Sequence, residues 1–188
     1  MKTIDELVGE IAKNIGAANS KTMPPKKTVR DAVKPAKREN SQGCFAADKN
    51  LHKCDRLTLD AAKEIARAAE IASDILGVKT VTAIRDEGAN LVLLHAMDNS
   101  YIASVQVAQD KAYTAAALKM PTHKALEESR GGALDGLTNG NGIMLLGGGF
   151  PLKIKDKIYG GVGVSGGTKE QDTLIAAVAA AIFEIRFA

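Results

Sequence analysis

Between residues 3 and 16, Ile4, Leu7, Val8, Ile11 and Ile15 recur at steps of three and four, which lays one apolar stripe along a short helix. Thr3 with Glu6 fits a capping box, and Gly16 is a plausible stop. Isolated helices below about 12–15 residues are marginal in water, so this one must dock, either on its own domain or on a partner. From Ala17 to about Ala47 the periodicity disappears. That stretch is rich in Ala, Asn, Ser and Lys, carries Pro24, Pro25 and Pro35, and reads as a flexible tether.

Regular patterning returns at Leu57. Thr58 can cap a helix running to about Leu76, whose Ala61, Ala62, Ile65, Ala69, Ala72, Ile75 and Leu76 form a small-residue face, and Gly77 ends it. Val78 to Arg85 and Asn90 to Met97 flank Asp86-Glu87-Gly88-Ala89, a hairpin signal. Ile102 to Met120 reads as a second helix stopped by Pro121, followed by a shorter helical piece over His123 to Ser129. Gly131 to Gly142 is loop. Three strands are expected next, over Ile143–Leu146, Phe150–Lys155 and Ile158–Ser165, with Lys155-Asp156-Lys157 as a tight connection. Thr168 and Gln171 form a capping-box pair that opens a last Ala-rich helix to about Arg186. Hairpin-type links rather than crossovers point to an α+β domain, an antiparallel sheet covered by helices. The chain divides into a helix at 1–16, a linker at 17–56 and a domain at 57–188.

Composition adjusts this picture in two places. Aromatic residues are 4% with no Trp, so core bulk must come from Ala, Val, Leu and Ile, which suits close packing of helices on a sheet or of subunits on one another. Between Lys21 and Glu39 there are seven basic residues against two acidic, so the surplus positive charge belongs to the linker rather than the domain. No aromatic residue interleaves those charges as single-strand stacking would require, which argues for a solvated linker and against a nucleic-acid partner. No apolar run approaches the roughly 18–20 residues of a membrane span. Two cysteines without a secretory signal point to a reducing cytosol, and Asp5, Glu6 and Glu10 argue against a mitochondrial presequence.

The scarce metal-binding side chains concentrate at the seam between linker and domain. His52 and Cys54 stand two apart in Asn50-Leu-His-Lys-Cys-Asp, and an extended backbone would put both on one face. Imidazole and thiolate are common ligands of haem iron. A zinc site from Cys44, His52 and Cys54 lacks the usual Cys-x2-Cys spacing and a fourth ligand. His95 falls in the second strand as a packed, hydrogen-bonded residue, and His123, after Pro121, as an exposed one. The Gly-rich runs match no P-loop; glycine in a strand more often permits close backbone approach. The amides of Gly166 to Lys169 open a helix and could attract a carboxylate or phosphate. No nucleophile–base pair or paired-carboxylate signature stands out.

Five phrases carry a family resemblance: Leu57-Thr-Leu-Asp-Ala-Ala62, Arg85-Asp-Glu-Gly88 before Leu91-Val-Leu, Ala108-Gln-Asp-Lys-Ala-Tyr-Thr-Ala115, Gly147-Gly-Gly-Phe-Pro151 and Gly160-Gly-Val-Gly-Val-Ser-Gly-Gly167. In order and spacing, over roughly Leu57 to Ala188, the chain resembles the GlcG/HbpS family, which includes the C-terminal domain of PduO proteins. The resemblance implies a profilin-like, three-layer α/β/α domain with a five-stranded antiparallel sheet, usually in a higher homo-oligomer such as an octamer. It also implies haem binding, with haem b as the cofactor. PduO-type domains carry a similar His-x-Cys just before the first core helix, which makes His52 the candidate axial ligand and Cys54 its modulator. Lys111, within the third phrase, could hold a haem propionate or a substrate carboxylate; on an open helix face it would simply be solvated. Residues 1–16 resemble the encapsulation peptides of bacterial microcompartment cargo, which implies a shell protein or co-cargo as partner and a place in the microcompartment lumen of the cytoplasm. An enzyme acting on a small organic acid or corrinoid is the alternative that family context leaves open.

Overall fold

A computed structural model describes Glu6, Val8, Gly9 and residues 56–188. Its elements are α1 (Leu59–Ile75), β1 (Val81–Asp86), β2 (Leu91–Ala96), α2 (Ile102–Leu118), α3 (Thr122–Glu128), β3 (Gly149–Ile154), β4 (Lys157–Ser165) and α4 (Lys169–Phe187). The helix starts follow the caps that the sequence offers. Thr58 accepts the Ala61 amide at 3.2 Å, and Thr168 with Gln171 closes a complete capping box. Lys119, in the left-handed region at φ 55°, ends α2 just before Pro121. Glu6, Val8 and Gly9 are helical, and Val8 is half-buried against the domain core.

The strands form one antiparallel sheet in the order β2-β1-β4-β3. The expected five strands are therefore four among the described residues. Ile143–Leu146 makes no ladder. Gly140 and Ile143 pair with each other across a tight turn instead. The Met144 amide donates to Thr114 Oγ1 at 2.8 Å, and that of Leu145 to Asn139 Oδ1 at 2.7 Å. Backbone donors satisfied by side chains need no neighbouring strand, so an apolar run of strand length stays irregular.

Alternation along β1 and β4 separates two apolar clusters. Ile84, Val162 and Val164 join Leu152 and the helices α1 and α4 in the main core, through Ala62, Ile65, Ala69, Ile175, Ala179 and Phe183. Val81 and Ala83 pack instead with Ala108 and Ala112 of α2. Glycine makes that second contact close: a Cβ on Gly163 would overlap the Ala108 carbonyl, and one on Gly161 the Ala112 carbonyl. The Gly-rich run of β4 thus seats α2 directly on the sheet backbone. Each fully buried Ile or Val in these clusters is worth about 1.5–3 kcal/mol of transfer free energy.

Candidate functional site

His52 and Cys54, like Cys44, lie outside the described residues. Lys111 is the largest fully buried side chain among the described residues. It sits on the α2 stripe with Ala108, Ala112 and Ala115, which the helical period turns toward the sheet. Its Nζ donates to Asp172 Oδ2 at 2.8 Å and to the Val164 carbonyl at 2.9 Å. Asp172, in the first turn of α4, accepts the Gly167 amide on Oδ1 at 2.8 Å. Burial pushes the Lys111 ammonium pKa down and the Asp172 carboxyl pKa up, and each charge opposes the shift of the other. Lys111 is thus neither solvated nor facing bulk water; the carboxylate it holds is the chain's own. Gly148 makes room for it, since a Cβ there would stand 2.8 Å from Nζ. Next to this node, Thr122 donates to the Leu146 carbonyl at 2.7 Å and accepts the Gly149 amide at 2.9 Å, tying α3 to the start of β3.

Beside Thr122 the surface opens into a groove of about 590 Å³ between α3, the start of β3 and the first half of α4. Pro121, Phe150, Leu174 and Ala177 line it with carbon, and His123 lies against Phe150 with ring centroids 5.5 Å apart at 43°. His123 is half-buried, not exposed as expected. Its Nδ1 is buried without a hydrogen-bond partner. A proton on that nitrogen would have no acceptor, so the stable form is the neutral ring with its hydrogen on Nε2. Burial lowers the His123 pKa; Glu127 opposes that shift, and Lys124 and Lys169 add to it. This ring is poorly prepared to ligate a metal through Nε2, because a ligating histidine normally donates its other N–H to an acceptor. His95 is surface-exposed rather than packed, but it is hydrogen-bonded, with Nδ1 2.8 Å from Glu70 Oε1. Among the described residues no three His, Cys, Asp or Glu side chains gather as a metal centre.

Sequence reasoning missed both the Lys111–Asp172 pair and the groove. The pair left a trace, since a lysine at the spacing of buried alanines belongs to the buried face. The groove left none, because its walls come from residues 121–127, 150 and 169–177.

Helices covering an antiparallel sheet, over the span from Leu57 to the end of α4, define a fold with known relatives. Residues 57–181 match the family model described as haem-degrading protein HbpS-like, and the chain belongs to that family. It is 41% identical over 126 residues to an uncharacterised 15.0 kDa protein of the dhaT–dhaS intergenic region of Citrobacter freundii, covering 65% of this chain and 89% of that one. Similarity to the corrinoid adenosyltransferase PduO of Citrobacter freundii is 32% over 133 residues, 69% of this chain but only 40% of that protein. Among solved structures, a PduOC:heme complex superposes with a TM-score of 0.63 at 32% identity, covering 67% of this chain and 94% of that one. No helix among the described residues is long and apolar enough to cross a membrane.

Proposed function

We propose that the protein binds haem b through His52, with Cys54 tuning the iron rather than ligating it. The observation that carries this reading is the similarity to the PduOC:heme complex, which extends over 94% of that chain and 67% of this one. Among the described histidines, His123 is a poor ligand, because its second nitrogen has no acceptor. Haem would supply redox chemistry at its iron, while the protein would contribute the axial imidazole and a surface excluding water. Lys111 does not need haem to explain it, since Asp172 already occupies its ammonium. The two clusters on opposite sheet faces support the profilin-like three-layer arrangement.

A homo-oligomer, an octamer in this reading, fits the apolar side chains left exposed at the start of α2, where Tyr101 is 71% and Ile102 92% accessible. Residues 1–16 act as an encapsulation helix for a microcompartment shell protein or co-cargo, with 17–56 as the tether. The helical state of Glu6, Val8 and Gly9 supports a helix there. Haem titration tests the central reading. A Soret band that appears on titration and is lost in His52→Ala is expected. A band that survives the substitution would remove His52 as ligand, and no Soret shift at all would sink haem binding. Fusion of residues 1–18 to a fluorescent reporter should give puncta in cells with shells; diffuse signal would reject encapsulation. The second reading, a corrinoid enzyme, draws on the similarity to PduO and predicts a cobalamin spectral shift in the same cuvette.

A further inference from the structure

The groove beside His123 has the properties of a ligand site that the haem reading does not use. Its volume of about 590 Å³ falls within the roughly 300–1,000 Å³ of small-molecule sites. Its floor is Phe150, Leu174 and Ala177, and Lys124 and Lys169 stand at the rim. Neither ammonium forms an ion pair among the described residues. Lys169 is also the first residue of the 19-residue α4, at the positive end of its dipole. His123, which lines the groove, adds a third donor, because its buried Nδ1 keeps the hydrogen on Nε2. Glu127 and Glu170 share the rim, so the charged side chains balance and a bare inorganic anion gains little there. A ligand must win affinity from the apolar floor and place its own charge locally.

We infer that this groove binds a small carboxylate with an apolar body, its carboxylate held by Lys124, Lys169 and the Nε2–H of His123, its body laid on Phe150, Leu174 and Ala177. Its walls all come from residues 121–177, so binding there is separate from haem ligation by His52 in this reading. Arg186, near the end of α4, meets Glu64, near the start of α1, at 3.2 Å, which brings the start of α1 to the far end of α4 from the groove. At 1.5 Å per residue, Lys169 and Arg186 are about 25 Å apart along the helix.

The test uses the haem-free full chain, isotopically labelled, with octanoate as probe and octanol and octylamine as controls of equal tail. Octanoate should shift the His123, Phe150 and Leu174 resonances, and octanol should bind about tenfold or more weakly, the equivalent of one charge-assisted contact. Lys124→Gln with Lys169→Gln should remove the preference for octanoate while leaving octanol binding unchanged. Ala177→Phe should fill the groove and block both, with an unchanged melting temperature showing the fold intact. His52→Ala should leave octanoate binding as it was, whether or not that variant still takes up haem. No shift in the groove with octanoate, equal binding of octanoate and octanol, a preference for octylamine, or indifference to the double lysine substitution would each overturn the assignment. Loss of octanoate binding in His52→Ala would overturn the separation of the two sites.

Discussion

The Lys111–Asp172 node and the His123 groove lie a short step apart at the start of α4, and each places an ionisable side chain against carbon. The node is paired internally: the ammonium meets the carboxylate and the Val164 carbonyl, and the Gly167 amide donates to the carboxylate, out of water. The groove does not. His123 keeps an unpartnered nitrogen, and two lysines and two glutamates stand at an open rim. A buried network whose charges already face each other has little to offer a ligand and serves to hold α2, β4 and α4 together. An incomplete half-open one is where recognition has room to occur. Similar residue types therefore do opposite work, according to whether their partners come from the chain.

The largest test of that contrast is to remove one half of the buried pair. Lys111→Met or Asp172→Asn alone should cost about 3–5 kcal/mol in denaturant unfolding, because one buried charge loses its partner. The combined Lys111→Met and Asp172→Asn variant should be markedly less destabilised than the sum of the single changes, as a double-mutant cycle would read; simple additivity would deny the coupling. Gly163→Ala comes next. A methyl forced against the Ala108 carbonyl should lower stability by about 1–3 kcal/mol as α2 is pushed off the sheet. Thr122→Val removes the partner of the Gly149 amide and should cost about 1–3 kcal/mol by chemical denaturation.

On the groove side the effect is smaller and shows in its pH dependence. The folded-state pKa of His123 lies below its ordinary 6.5. The unfolded chain therefore takes up the proton more readily. The contribution of the neutral ring is complete above about pH 6.5 and is lost as pH falls from there through the folded value. His123→Phe should flatten the decline in melting temperature between pH 7 and 5 relative to the parent; parallel curves would show that the ring does not titrate with folding. Smallest of all, Arg186→Ala removes a surface pair with Glu64 and should change stability by less than about 1 kcal/mol.

Much of this architecture was legible beforehand where it depends on neighbours in sequence. Thr58, Thr168 with Gln171, and Pro121 marked helix ends because caps act over three or four residues. The hairpin at Asp86-Glu87-Gly88-Ala89 announced itself because Asp86 Oδ1 accepts the amides of Gly88 and Asn90, at 2.9 and 2.8 Å. Ile143–Leu146 was misread because its length and apolarity suit a strand, while the partners that keep it irregular, Thr114 and Asn139, are invisible to a window of four residues. Lys111 was seen as a binding residue, but its partner was not.

The sequence by itself determined the order and type of the elements apart from Ile143–Leu146, the basic linker, the family, and the placing of His-x-Cys just ahead of Leu57. These rest on periodicity, capping and motif spacing, all short-range properties. Only the tertiary structure decided that Lys111 meets Asp172 across 61 residues, that Gly161 and Gly163 seat α2 on the sheet, and that residues from α3, β3 and α4 enclose one groove. Those contacts exist because pairing β1 with β4 carries the two halves of the domain together. Once the backbone has brought them into contact, burial decides which charges must find partners within the chain and which remain open to a ligand.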